Sequence, residues 1–96
     1  MNKEIIEIAK NFKETPEIVH CYLKQGERLF MTTQEDLIEG ILIAEDYALL
    51  KNIKLKYLVG ILCLMSSEGW YPKSAGRRLR EILKDLKPGK TLNILY

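Results

Sequence analysis

Hydrophobic residues recur along the chain at spacings of three and four, which is the period of an α-helix. The first set predicts a helix over about residues 3–13 and consists of Ile5, Ile6, Ala9 and Phe12. Thr15 and Pro16 suit the start of a second helix, because threonine caps a helix and proline fits its first turn. Gly26 is the expected stop of this second helix, unless the glycine is tolerated and the helix continues past it.

Thr32 and Glu35 have the spacing of a capping box and predict the start of a third helix, which ends near Leu50. A fourth helix covers Leu55 to Met65 and is apolar on most of its circumference, so we expect it at the centre of the fold. Gly40 and Gly60 fall inside these helices, where close helix packing is the expected reason for them.

A fifth helix is predicted from about Ser74 to Lys87, and Pro88 with Gly89 stops it. The segment TLNILY at residues 91–96 is apolar enough for a short C-terminal strand. The expected fold is therefore all-α: one domain over residues 1–96, a compact bundle of four to five helices containing a helix-turn-helix-like unit.

Charge divides the 96-residue chain into two unlike halves. Residues 1–50 carry a net charge of −5 and residues 51–96 carry +7, although the whole chain has only +2. Such asymmetry indicates an acidic helical half beside a basic half that meets an anionic partner. The alternative is that the two halves attract each other within the fold.

Two segments resemble known DNA-binding motifs. IAKNFKETPEIVHCYL, from Ile8 to Leu23, resembles the helix-turn-helix of many bacterial regulators, although Lys13 and Glu14 replace the glycine and the apolar residue usual at its turn. Acidic Glu14 and Glu17 oppose phosphate binding there, so this segment is the weaker candidate. The segment from residue 61 to residue 86 is similar to the helix-turn-helix core of winged-helix domains, with residues 74–87 as the candidate recognition helix.

The basic residues of the fifth helix form the candidate nucleic-acid-binding site. Lys73, Arg77, Arg80, Lys84 and Lys87 are spaced as one helical stripe. The opposite, buried stripe is predicted to be Leu79, Ile82, Leu83 and Leu86. Arg77 and Arg80 are the expected readers of base edges. Phosphate contacts are expected from the other basic residues and a serine: Lys73, Ser74, Arg78, Lys84, Lys87 and Lys90.

Trp70 and Tyr71 precede the fifth helix and either stack on a base or pack between the last two helices. The sequence shows no enzyme motif, and Gly89-Lys90-Thr91 has only the tail of a phosphate-binding loop. We therefore expect no catalytic residues, metal or cofactor. Cys21 and Cys63 are interpreted as reduced core thiols, and the longest apolar run, of nine residues, is too short to cross a membrane.

These observations favour a small cytoplasmic DNA-binding protein, a bacterial or phage regulator of transcription or replication that acts as a homodimer. The alternative is a protein-interaction module, such as a small inhibitor, an immunity protein or an assembly adaptor. In that case the basic helix docks on an acidic protein, or the acidic half mimics nucleic acid. Steep weakening of binding with salt would separate the two classes.

Overall fold

The computed structural model describes residues 2–86, and all of its regular elements are helical. In chain order they are α1 (Lys3–Phe12), α2 (Pro16–Phe30), α3 (Gln34–Leu50), α4 (Leu55–Ser67) and α5 (Pro72–Asp85). The predicted all-helical bundle is confirmed for this part of the chain. The strand predicted at residues 91–96 lies outside the described residues.

Side-chain caps define the starts of the first three helices. Asn2 accepts a hydrogen bond from the backbone amide of Glu4 at 2.7 Å, and Thr15 accepts one from Ile18 at 3.2 Å. Thr33 caps α3 by accepting from the amide of Asp36 at 3.0 Å. The predicted cap, Thr32, was therefore wrong by one residue.

Thr32 lies in the link between α2 and α3 and is buried. Gly26 does not end α2, which continues to Phe30. A Cβ on Gly26 would lie 2.7 Å from Leu37 Cδ1 and 2.8 Å from Cys63 Sγ. The glycine therefore lets α3 and α4 pack closely against α2, at a helix-propensity cost of about 1 kcal/mol.

Helix α4 supplies much of the core, as its apolar circumference predicts. Its buried residues are Leu55, Leu58, Val59, Ile61, Leu62, Cys63 and Met65. They join buried residues of all four other helices in one hydrophobic cluster. Within residues 2–86, no helix combines the length and the hydropathy that crossing a membrane requires.

Helices α3 and α5 run parallel and form the most extensive helix contact of the fold. Gly40 on α3 lies against Gly76 on α5, where an added Cβ would be 3.1 Å from the Gly40 carbonyl oxygen and 3.0 Å from Ile43 Cβ. Gly40 also touches α4, because its own Cβ would meet Leu62 at 3.0 Å. Close packing is thus confirmed for Gly40, whereas at Gly60 the prediction was wrong: no atom lies within 4 Å of the added Cβ in the part of the chain described.

Candidate nucleic-acid interface

The turn Glu68–Tyr71 separates α4 from α5 and fixes where the basic helix begins. Gly69 has a φ of 95°, a left-handed conformation that glycine adopts without steric cost. Pro72 occupies the first turn of α5, two residues before the predicted start at Ser74. Tyr71 is the N-cap residue and makes no side-chain cap hydrogen bond, so the first amides of α5 receive no acceptor from that side chain.

The predicted basic stripe runs along the border between α5 and α3. Lys73 Nζ lies 3.8 Å from Glu39 Oε1, and Arg80 Nη2 donates a hydrogen bond to Asp46 Oδ2 at 2.7 Å. These pairs connect the acidic and the basic halves of the chain. The attraction between halves that the sequence left open as an alternative is therefore present.

The stripe borders α3 because the buried face of α5 is not the predicted one. Ala75, Gly76, Leu79 and Leu83 are buried, while Ile82 and Leu86 are only partly enclosed. The two small residues allow α3 to approach on the side that carries the stripe. Hydrophobic periodicity read from the large residues alone missed this rotation of the helix.

Arg80 is occupied by contacts within the fold. Its guanidinium carbon also lies 4.6 Å from the centroid of the Tyr47 ring, a distance typical of a cation–π contact. The hydrogen bond from Arg80 lowers the pKa of the Asp46 carboxyl, and the amide of Tyr47 contributes to that lowering. To bind DNA bases, Arg80 would have to give up these contacts.

Arg77, Arg78 and Lys84 remain exposed on α5 together with Ser74. Arg78 Nη1 is 3.8 Å from Glu81 Oε2 one turn along the helix, an exposed pair that contributes little. Neither Arg77 nor Lys84 has a carboxylate within 4 Å among the described residues. Arg77 and Arg78 thus place two exposed positive charges at consecutive positions of α5.

An open cleft of about 510 Å³ lies beside Arg77. Arg77 and Lys73 line it from α5, and the carboxylates of Glu4, Glu35 and Glu39 line it from α1 and α3. These acids repel phosphate on the α3 side of the helix. Ser74 and Arg78 do not line the cleft, so they lie away from these carboxylates.

The two aromatic residues before α5 lie in different environments. Trp70 is 40% exposed and lines a small gap with Gly40, Leu62 and Pro72, so it partly packs between helices. Tyr71 is 79% exposed and directly precedes the helix. Of the two, Tyr71 is the side chain that can stack on a base without leaving a packed position.

The predicted contacts Lys87 and Lys90 lie outside the described residues. In the weaker candidate segment, α1 and α2 are joined by a tight turn at which Lys13 adopts a left-handed φ of 57°. His20 is half-buried on α2, and Lys24 is exposed. Glu14 and Glu17 stand at the start of α2, so the predicted electrostatic objection to this segment applies to the folded protein.

The two cysteines do not share one environment, contrary to the sequence interpretation. Cys63 is buried in α4, and burial raises the pKa of its thiol to about 11. Cys21 is exposed, because α2 turns Val19, Leu23 and Gly26 toward the core instead. Among the described residues, no three His, Cys, Asp or Glu side chains come together as a metal site would require.

Sequence reasoning missed two groups that this interface depends on. Asp46 and Glu39 were assigned to a general acidic half, yet they hold individual cations of α5. Lys51 directly follows the predicted end of the third helix, and the sequence alone predicts no contact for it. Its Nζ donates a hydrogen bond to the Leu86 carbonyl at 2.7 Å. The seven-residue spacing from Glu39 to Asp46 matches that from Lys73 to Arg80, which was the available signal for parallel pairing.

Comparison of the chain with known protein families, with curated proteins and with solved structures finds no match.

Proposed function

We propose that this protein binds DNA through the N-terminal half of α5, with Arg77 and Arg78 as the principal contacts. The observation that carries the proposal is the position of these two exposed arginines about one turn after Ser74 and about two turns after the exposed Tyr71. Arginine hydrogen-bonds both phosphates and guanine edges. Residues near the start of a recognition helix are those that reach bases in helix-turn-helix proteins.

This proposal changes the roles of three residues, and the first is Arg78, which was expected only as a phosphate contact. Arg80, expected from the sequence as a reader, holds α5 against α3 through Asp46 and Tyr47. Lys73 supports the site at a distance of 3.8 Å from Glu39, and both side chains remain solvent-accessible. Lys84 is the exposed cation nearest the C-terminal end of α5 and supplies a peripheral phosphate contact.

A role as a regulator of transcription or replication in a bacterium or a phage is the setting we propose. It rests on the resemblance to helix-turn-helix regulators and on the small size of the domain. Two copies of such a reader gain affinity by occupying two half-sites, so we propose a homodimer. Analytical ultracentrifugation at micromolar concentration tests this part, and a strict monomer up to millimolar concentration would contradict it.

A salt titration of DNA binding tests the proposal. Fluorescence anisotropy with a labelled duplex should give a log–log slope of about −2.7 to −3.6, since about three or four exposed cations displace counterions at about 0.9 per phosphate. An affinity that does not change with salt would contradict phosphate binding. The carboxylates lining the α3 side keep the expected slope shallow by limiting the number of phosphates in reach.

A protein-interaction module is the second candidate, and one observation favours it. Met31 is 95% exposed and Leu29 is 63% exposed at the end of α2. Thr32 and Trp70 line the same small gap, which places this end of α2 beside the turn containing Tyr71. Exposed aromatic residues and methionine are enriched at protein interfaces. A partner protein bound there would show weak salt dependence and would be lost on Met31→Ser.

A further inference from the structure

A second open cleft, of about 560 Å³, lies at the end of the bundle where two turns meet. One turn joins α1 to α2 and contributes Lys13 and Glu14, and the other joins α3 to α4 and contributes Asn52 and Lys54. Its volume falls in the range of about 300–1,000 Å³ typical of small-molecule sites. The proposed DNA contacts on α5 do not line it.

The charged groups of this cleft are mostly positive. Lys13, Lys54 and Lys56 line it, against the single carboxylate of Glu14. Within residues 2–86 none of the three ammonium groups lies within 4 Å of a carboxylate. Lys56 Nζ lies 5.2 Å from the centroid of the neighbouring Tyr57 ring. These lysines are available to an anionic ligand.

The remaining wall is apolar and aromatic, with two carboxamides. Phe12 and Tyr22 are partly buried against the core and expose part of their rings to the cleft. Asn11 and Asn52 add side chains that both donate and accept hydrogen bonds. A planar ring with polar edges fits such a wall, because rings stack on aromatic side chains and carboxamides pair with ring edges.

We infer that this cleft binds a small organic anion in which a planar ring carries a phosphate, the chemistry of a nucleoside monophosphate. The phosphate lies among the three lysines, and the ring lies against Phe12 and Tyr22. This assignment uses Lys13, one of the two turn residues by which the α1–α2 segment departs from the helix-turn-helix pattern. It is independent of the proposed DNA contacts on α5.

Lys13 and Asn52, in the two turns that form the cleft, both have left-handed backbones, with φ values of 57° and 59°. Glycine adopts this conformation more readily than lysine does, so replacing Lys13 by glycine tests ligand binding separately from fold stability. Lys13→Gly should therefore raise the temperature of thermal unfolding while it removes a ligand for the phosphate. A variant that folds better and binds less separates binding from stability.

The experiment is isothermal titration of the full chain with adenosine monophosphate, inorganic phosphate and adenosine. We expect saturable binding of the nucleotide and affinities weaker by at least about tenfold for the other two compounds. Lys54→Ala with Lys56→Ala should weaken nucleotide binding by about tenfold or more, and so should Lys13→Gly despite its higher unfolding temperature. Lys3→Ala with Arg28→Ala serves as the matched control and should leave nucleotide binding unchanged, because both side chains are exposed and neither lines the cleft.

Three results would overturn the inference. One is the lack of saturable nucleotide binding up to about 10 mM. Another is equal affinity for inorganic phosphate, because the apolar wall would then contribute nothing. The third is unchanged nucleotide affinity in the Lys54→Ala, Lys56→Ala variant. None of these results bears on DNA binding by α5, so the two proposals fail separately.

Discussion

Arg80 on α5 donates a hydrogen bond to Asp46 on α3 at 2.7 Å, while its guanidinium lies over the ring of Tyr47. This pair lies one heptad beyond the contact between Lys73 and Glu39, so the two helices are joined at two levels. The contacts match the rotation of α5 about its axis that the close packing of Ala75 and Gly76 against α3 allows. That rotation decides which basic residues meet solvent and which are used within the fold.

The carboxyl pKa of Asp46 reports directly on this contact. Arg80 lowers the pKa, so the bond stabilises the fold above the unfolded-state pKa and is lost as the pH falls through the folded-state value. In Arg80→Gln we expect the pKa to return toward the ordinary aspartate value. Carbon-13 NMR titration measures it, and Arg78→Gln is the control that should leave it unchanged. An unaltered pKa in Arg80→Gln would show that the bond is not formed in solution.

Gly76 should be the least tolerant glycine of α5 and α3. Gly76→Ala places a Cβ 3.0 Å from Ile43 Cβ and 3.1 Å from the backbone oxygen of Gly40, so the helices must separate. We expect a loss of about 1–3 kcal/mol in the free energy of unfolding. Gly60→Ala is the matched control, because no described atom obstructs it, and it should gain up to about 1 kcal/mol. Denaturant unfolding that ranks the two variants in the opposite order would contradict the packing.

Helix positions could be predicted from the sequence because they depend on local signals. Apolar periodicity, the Thr15-Pro16 start and the break after Leu50 are all readable within one or two turns. The cap at Thr33 was missed, and the continuation of α2 past Gly26 was only the alternative to a stop there. Gly26 depends on contacts with other helices, since Leu37 and Cys63 occupy the space that a Cβ at this position would need.

Glu45 should make stability depend on pH in the opposite sense to Asp46. Burial raises its pKa, the nearby charges of Glu7 and Asp46 raise it further, and the Asn11 side chain partly offsets them. A raised folded-state pKa means that this contribution is present below the unfolded-state pKa and disappears as the pH rises through the folded-state value. Glu45→Gln should therefore be more stable than the natural chain at pH 7 and lose that advantage near pH 4. Unfolding curves at the two pH values measure the difference, and a constant difference would contradict the shift.

Leu62 tests whether α4 is the centre of the fold. Its side chain is buried, and its methyl groups contact the position beside Gly40. Leu62→Ala should cost about 2–5 kcal/mol through lost transfer energy and the cavity left behind. Leu50→Ala is the control, since Leu50 is 70% exposed and its loss should change stability by less than about 0.5 kcal/mol. Equal effects in urea unfolding would place α4 at the periphery.

The candidate site was predictable in composition but not in orientation. The spacing of basic residues in α5 gave the correct set of exposed cations at Arg77, Arg78 and Lys84. It could not show that Arg80 is bonded to Asp46, because the two residues lie 34 positions apart and meet only when α3 and α5 pack. Ala75 and Gly76 determine that packing, and a pattern based on the large apolar side chains of α5 does not include these small residues.

The assignment of α5 as the DNA-binding helix is tested by comparing how two double variants bind DNA. Arg77→Ala with Arg78→Ala removes the proposed contacts from α5, and His20→Ala with Lys24→Ala alters the other candidate segment. At fixed salt, the first variant should lose binding by about 1–3 kcal/mol for each arginine that contacts a base, and the second should bind as the natural chain does. Retained binding in the arginine variant, with loss in the His20 and Lys24 variant, would contradict the assignment of α5 as the DNA-binding helix.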